Sequence, residues 1–272
     1  MNLAAPYGAP VAAKAAAGGA DRPHITIRGL SKRFGNAVIY DNFDLDIPRG
    51  RFVSVFGPNG CGKSTLINMV AGLLPTDAGE ILFDGKTLRD TNFGYVFQNY
   101  REALFPWLRA IDNIRYPLKF HGLSRPEQRD RVDRWVERLG VKIDLNRYPY
   151  QLSGGQQQLI SIMRSLVIEP EVLFLDEPFS ALDYEMTLFM RDQLQSVFLE
   201  TGTTMVFVSH DLEEAVYLAD DVLLLSRGPA RVADFVDVGV TRPRTADALS
   251  EERFVQVKAH CLDVFQKLVR AQ

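Results

Sequence analysis

Cysteine is nearly missing from this chain: its 272 residues include two, Cys61 and Cys261. That is too few for a disulfide framework, so a stapled secreted scaffold is excluded and a reducing compartment is expected. Long apolar runs are missing too. None approaches the ~18 residues a membrane-spanning helix needs, which argues against an integral membrane protein. Nor is one sign of charge in excess, because 31 Lys+Arg stand against 34 Asp+Glu for a formal net charge of −3. No global field draws such a chain to nucleic acid or to an acidic membrane. Zinc-spaced cysteines, sustained heptads and internal repeats are also lacking. What is present is 46% hydrophobic residues, enough to bury a core and to exclude a disordered chain.

The two ends differ. Residues 1–22 are rich in Ala, Gly and Pro, with Pro6, Pro10 and the pair Gly18–Gly19. Lys14 and Pro10 interrupt the apolar run a signal peptide would need, so this stretch reads as a flexible tail. From Ser250 onward, Phe254, Val257, Cys261, Phe265 and Leu268 recur at steps of three and four. That spacing predicts an amphipathic helix packed on its parent domain, and residues 233–272 are expected as a C-terminal helical extension. Cys261 on that stripe is expected as a small buried apolar residue.

Between the ends, strand-like runs alternate with helical ones. Strands are expected at His24–Arg28, Ala37–Ile47, Phe52–Phe56, Ile81–Phe83 and Gly94–Phe97, then at Val172–Leu175, Met205–Val208 and Val222–Leu225. Apolar strands separated by helices predict an α/β fold with a parallel sheet. A charged helical stretch, including Arg125–Leu139, reads as an insertion whose polar face is solvated.

Gly57-Pro58-Asn59-Gly60-Cys61-Gly62-Lys63-Ser64 fits the pattern G-x-x-x-x-G-K-S/T, directly after an expected strand and before an expected helix. Glycines let backbone N–H groups approach phosphate closely, and the helix N-terminus favours negative charge. Lys63 is expected on the β- and γ-phosphates, the Ser64 hydroxyl on Mg²⁺, and Thr65 further into the cradle. Cys61 reads as a loop spacer, although a helix N-terminus can by itself lower a thiol pKa. Val172-Leu173-Phe174-Leu175-Asp176-Glu177 is an apolar strand ending in two acids. Asp176 is expected to hold Mg²⁺ through water and Glu177 to face the attacking water. Together these features predict a Mg²⁺-nucleotide hydrolase.

Leu152-Ser153-Gly154-Gly155-Gln156-Gln157-Gln158 places a second anion-ready helix start far along the same chain. With this motif the chain resembles the ATP-binding cassette (ABC) ATPases over about residues 24–230. Leu152–Gln158 matches the signature motif, with Ser153, Gly154 and Gly155 as its phosphate-facing residues. Phe34 matches the aromatic that stacks on adenine, Gln98 the Q-loop glutamine, Ser180-Ala181-Leu182-Asp183 the D-loop, and His210 the switch histidine. Taken singly, Phe34 reads equally as core, Gln98 as a surface amide and His210 as a polar residue at a helix start capped by Asp211. Leu159 departs from the basic residue many members carry after the signature, whereas Arg164 matches the arginine usual on that helix.

The resemblance implies a P-loop NTPase (RecA-like) core with an antiparallel β subdomain and an inserted α-helical subdomain. The ATPase domain is expected over 23–232 and the helical subdomain over about 99–158. It implies ATP and Mg²⁺ as ligands. It also implies a homodimer in which the phosphate loop of one subunit and Ser153–Gly155 of the other meet one γ-phosphate. In that arrangement Glu177, His210 and Gln98 are the catalytic group, with Gln98 also reaching the metal. Integral membrane permease subunits would be separate chains, with a periplasmic or extracellular solute-binding protein engaged indirectly and no nucleic acid partner. The subunit is expected on the cytoplasmic face of the inner membrane. The segment from Gln98-Asn99-Tyr100 through Leu104-Phe105-Pro106-Trp107-Leu108 to Asp112-Asn113-Ile114 resembles importers of nitrate, sulfonate and taurine. A lipid-trafficking or export cassette is the alternative, ahead of a soluble non-transport cassette.

Overall fold

A computed structural model describes residues 23–99, 103–180 and 182–270. The expected tail at 1–22, Tyr100 of the anion-importer stretch and Ala181 of the D-loop lie outside the described residues. Two sheets form the α/β frame. Strand β1 (Pro23–Phe34) pairs antiparallel with β2 (Ala37–Pro48) and with β4 (Ala78–Phe83), in the order β2-β1-β4. The second sheet holds β5 (Phe93–Val96), β6 (Val172–Asp176), β7 (Thr204–Val208), β3 (Phe52–Phe56), β8 (Asp221–Leu225) and β9 (Val232–Asp237), in that order. Its strands are parallel except for the β8–β9 pair.

Every residue of β3, β6, β7 and β8 is buried. Side chains alternate along a strand, so a continuous apolar run feeds a core on each face. Phe52, Leu173, Leu175, Phe207 and Leu224 enter one core together with Ile114, Trp135 and Phe254. Val53, Val55, Phe174, Val206 and Leu223 enter the other, against Ile25, Ile27 and Phe83 of the antiparallel sheet. The phosphate-loop helix α1 (Lys63–Val70) belongs to that second face through Leu66 and Ile67.

The insertion carries α2 (Ala110–Arg115), α3 (Arg125–Arg138) and α4 (Gly154–Leu166). Helix α3 starts on a capping box in which the Glu127 carboxylate accepts from Ser124 N–H at 2.8 Å, and it buries Val132 and Trp135. Helices α5 (Tyr184–Thr201) and α6 (Leu212–Leu218) follow β6 and β7, capped by Asp183 and Asp211. Helix α7 (Glu252–Arg270) buries Phe254, Val257 and Cys261, as their spacing predicts, and Phe265 meets Phe56 with ring centroids 5.2 Å apart.

The span expected as a purely helical extension opens instead with a strand, β9, antiparallel on the sheet edge. Its short apolar pattern is broken by Asp234 and Asp237, yet it sets Phe235 and Val236 against the two cores, and Arg51 ties the end of the pair by binding Asp221 at 2.7 Å and Asp237 at 2.8 Å. Arg244 then clamps the following turn by donating to the carbonyls of Val216, Tyr217 and Ala219 at 2.7–3.1 Å. Burial pulls this guanidinium down to about 10.

Candidate functional site

The site lies at the C-terminal ends of four neighbouring parallel strands, β5, β6, β7 and β3, the edge where open α/β sheets bind ligands. The loop 57–62 leaves β3 and turns into α1. Gly57 and Pro58 are buried, while Asn59 and Gly60 are exposed. Gly62 has φ 108°, and a Cβ there would lie 2.8 Å from Ile39 Cγ2, so only glycine fits. Tyr40 O–H donates to the Gly62 carbonyl at 3.0 Å, tying β2 to the loop. Lys63 is buried, with Nζ donating to the carbonyls of Gly57 at 2.9 Å and Pro58 at 3.3 Å. Thr65 is half-buried two positions beyond.

Ser64 Oγ–H donates to Asp176 Oδ1 at 3.1 Å across 112 residues. The Asp176 carboxyl is raised above its usual range, chiefly by burial, with the Ser64 hydrogen bond acting in opposition. Two residues that sequence patterns did not single out complete this corner. Tyr95 O–H lies 2.8 Å from Asn68 Oδ1 and 3.4 Å from Asp176 Oδ2. In the sequence Tyr95 is one more apolar strand residue, so nothing local marks it.

Glu177 sits just past the strand with φ 44°, in the left-handed region. A non-glycine residue held there costs on the order of 1–3 kcal/mol. Its N–H nevertheless donates to Val208 O at 3.0 Å, which extends the β6–β7 ladder and holds the turn. The turn carries the carboxylate to two side chains from the flanking strands. Gln98 Nε2, beyond β5, donates to Glu177 Oε2 at 2.8 Å, and His210 Nδ1, beyond β7, lies 3.4 Å from the same oxygen. Asp211 rather than His210 caps α6, leaving the imidazole free of the helix start.

Ser153, Gly154 and Gly155 stand elsewhere. Ser153 caps α4, its Oγ accepting from Gln156 N–H at 3.3 Å while Gln156 Oε1 accepts from Ser153 N–H at 3.0 Å. A Cβ on Gly155 would lie 2.7 Å from Met186 Cγ, and Met186 N–H donates to Asp183 Oδ1 at 2.8 Å. The signature and D-loop residues therefore pack together. Among the described residues, no hydrogen bond joins 153–155 to 57–65. Phe34 joins neither group; it is exposed at the end of β1, with Lys32 Nζ 5.5 Å from its ring centroid.

The three signature glutamines divide their work. Gln156 caps the helix, Gln157 donates to the Leu152 carbonyl at 3.0 Å, and buried Gln158 donates to the Pro178 carbonyl at 2.6 Å. Gln158 thus links α4 to the segment just after Glu177, a role that a run of identical residues hides. Cys61 is fully buried, and burial pushes its thiol up despite Lys63 and the helix start. Desolvation outweighs the lowering effect of Lys63 and the loop's backbone hydrogen bonds, which favours the neutral thiol.

Beside Gln98 lies an open groove of about 660 Å³, lined by Phe97, Asn99, Phe105, Tyr116 and Arg164 among others. Arg164 donates to the Ala103 carbonyl at 2.6 Å and stands 5.7 Å from the Phe105 ring centroid, anchoring α4 to the groove wall. Trp107, next to it, is 70% exposed, and Phe120 is 76% exposed. No helix among the described residues is long and apolar enough to cross a membrane.

The family model described as ABC transporter matches residues 40–180. A putative ATP-binding protein of Brucella abortus is 37% identical over 239 residues, covering 87% of this chain and 91% of that protein. A sulfate/thiosulfate import ATP-binding protein of Neisseria meningitidis is 38% identical over 82% of this chain and 64% of its own length. A bacterial ABC transporter cassette, solved as a dimer, superposes with a TM-score of 0.69 at 31% identity over 78% of this chain and 98% of that one. The family match spans the stretch that holds Gly57–Ser64, Ser153–Gly155 and the pair Asp176–Glu177, and the chain belongs to the ABC transporter family as an ATP-binding ATPase.

Proposed function

We propose that this ATPase works as a pair of subunits driving a separate membrane permease that imports a small anion such as nitrate, a sulfonate or taurine. The observation that carries the reading is the placement of Gln98. Its amide donates to Glu177 at 2.8 Å, while Phe97 and Asn99 on either side line the open groove. One short segment therefore touches both the hydrolytic carboxylate and a surface able to receive a partner. The exposed aromatics Trp107 and Phe120 supply apolar area for that contact.

In this reading, loop 57–62 and the start of α1 cradle the ATP phosphates with backbone N–H groups. Lys63 exchanges its two carbonyl partners for β- and γ-phosphate oxygens, and Thr65 lies further into the cradle. Phe34 stacks on adenine from the end of β1. Glu177 orients the attacking water and accepts its proton, and His210 holds water and γ-phosphate in line. Gln98 senses both and passes the nucleotide state to the groove.

The Ser64 hydroxyl and Asp176 carboxylate form a hard-oxygen pair 3.1 Å apart, and burial of Asp176 leaves its charge calling for a cation. That donor set fits Mg²⁺, with Ser64, Asp176 and Gln98 as the residues that would hold it directly or through water. The ion would supply charge neutralisation on the β- and γ-phosphates. Ser153, Gly154 and Gly155 complete the site of a second subunit, with Asp183 beside them at the interface. Their separation from 57–65 within one chain supports the two-subunit arrangement.

The subunit then sits peripherally on the cytoplasmic face of the inner membrane, and a solute-binding protein meets the permease on the far side. The sulfate/thiosulfate relative favours an anion as cargo. Affinity purification of the tagged chain from its native membranes, with copurified proteins identified by mass spectrometry, tests the reading. A multi-span permease is expected, and Trp107→Ala should release it while ATP hydrolysis by the isolated chain persists. Recovery of soluble partners alone would overturn the transport assignment.

A further inference from the structure

Helix α7 has a second apolar face. Its first face, Phe254, Val257 and Cys261, is buried in the core. The second runs through Val255, Ala259, Leu262 and Val269, at steps of four, three and seven, with exposed Gln266 as the polar side chain within it. Val255 is 52%, Leu262 44% and Val269 38% exposed, and Ala259 is exposed with them. At 100° per residue these positions lie within a strip about 80° wide, centred roughly a third of a turn from the buried face. Packing on the parent domain needs only the first face, so the seam is surplus to folding. It extends about 21 Å along the helix.

The charges bordering the seam indicate what fits it. Glu252 and Arg270 stand eighteen residues apart, about five full turns, so they share one flank at opposite ends. When a two-fold axis crosses the helix near its middle, each flank meets the same flank of the second copy running the other way. Glu252 of one copy then approaches Arg270 of the other, twice over. A parallel pair would instead set this flank against the opposite flank of the second copy, so Glu252 and Arg270 would not meet. Other charged side chains along α7 are already occupied. Lys258 binds Glu213 at 2.6 Å, Lys267 binds Asp263 at 2.6 Å and His260 binds Asp234 at 2.7 Å. Among the described residues, neither Glu252 nor Arg270 has an ion-pair partner, and Glu252 accepts only from Gln256 Nε2 at 2.8 Å.

We propose that α7 pairs antiparallel with α7 of a second copy of this chain about a two-fold axis near Leu262, and that this contact holds two subunits together without nucleotide. A single helix pair falls short of the ~1,200 Å² that a stable standard interface buries. The association is therefore weak and concentration-dependent, a tether that keeps two cassettes near each other between catalytic encounters.

Sedimentation equilibrium of the full chain without ATP is the test. Reversible dimerisation is expected, weakened roughly tenfold or more by Leu262→Lys, since a central apolar contact becomes a buried charge. Leu262 is exposed, so an unchanged circular-dichroism melting curve shows the variant is folded. Orientation is read by thiol cross-linking. Val255→Cys should join to Val269→Cys when the two variants are mixed, and Val255→Cys alone should not join to itself. Native Cys61 and Cys261 are buried and leave a low background. A chain that stays monomeric at every concentration, a dimer indifferent to Leu262→Lys, or self-joining Val255→Cys would each overturn the proposal. None of these results bears on whether a permease is recovered from membranes, so this inference and the transport reading fail separately.

Discussion

Replacing Glu177 by Gln isolates one property of the site. The Glu177 Oε2 atom accepts from Gln98 Nε2 at 2.8 Å and lies 3.4 Å from His210 Nδ1. A glutamine has the same length and keeps an amide oxygen able to accept from Gln98. Its backbone cost at φ 44° equals that of glutamate, and the N–H bond to Val208 is untouched. Stability should therefore stay within about 0.5 kcal/mol of the parent, as for substitutions that disturb no packed contact. What is removed is the group proposed to take the proton from water. Loss of a general base typically costs roughly 10²–10⁴ in rate, or about 2.7–5.4 kcal/mol in the barrier. The assay is phosphate release at saturating ATP, run beside a binding titration with a fluorescent ATP analogue. ATP affinity should hold or tighten while turnover falls by at least two orders of magnitude, and gel filtration with ATP should show an accumulated dimer. Turnover within tenfold of the parent would refute the base assignment. Loss of binding together with turnover would show instead that Glu177 serves the shape of the loop.

Gly57→Ala should lower both stability and ATP affinity, because its Cβ would lie 2.6 Å from the Leu225 carbonyl oxygen and 3.1 Å from Cys61 Sγ. Overpacking of this kind costs roughly 1–3 kcal/mol, measurable by urea unfolding, and unchanged midpoint and affinity would count against the packing described. Burial, aided by Arg49, pulls the His24 imidazole down to about 4, so the unfolded chain binds its proton first on acidification. Stability from this residue is thus full above pH 6.5 and drains away as pH falls toward 4, by on the order of 1–3 kcal/mol. His24→Asn, which keeps an acceptor for Thr204, should flatten that part of the urea-midpoint profile relative to the parent, and superimposable profiles would refute it. Cys61, with its thiol buried and pushed up, should react with iodoacetamide more slowly than free cysteine at pH 8. Peptide mapping that found equal rates would overturn the burial argument.

Some of this protein is written in short stretches of chain. A phosphate cradle is local chemistry: glycines, a lysine and a hydroxyl must follow one another at a strand-to-helix turn, so Gly57–Ser64 is legible wherever it occurs. An apolar run closed by two acids is equally local, and Val172–Glu177 names its own place at a buried strand tip. The face of α7 that enters the core follows from the period of a helix. Other features had no local signature. Gln98 and Glu177 meet across 79 residues because β5 and β6 are neighbours in the sheet, an order that side-chain packing on both faces selects. Tyr95 reaches Asp176, and Gln158 reaches Pro178, for the same reason. Strand β9 pairs antiparallel on β8 and sets Phe235 and Val236 against the two cores, but two aspartates interrupt its short apolar pattern, so composition could not announce it. At Cys61 two local rules conflicted, the helix-start field against burial, and only the depth of the loop in the folded chain decided that burial prevails. Sequence alone determined the pieces whose chemistry depends on adjacent residues, whereas tertiary packing decided every contact between pieces, because the free energy of those contacts exists only once both faces of the sheet are covered.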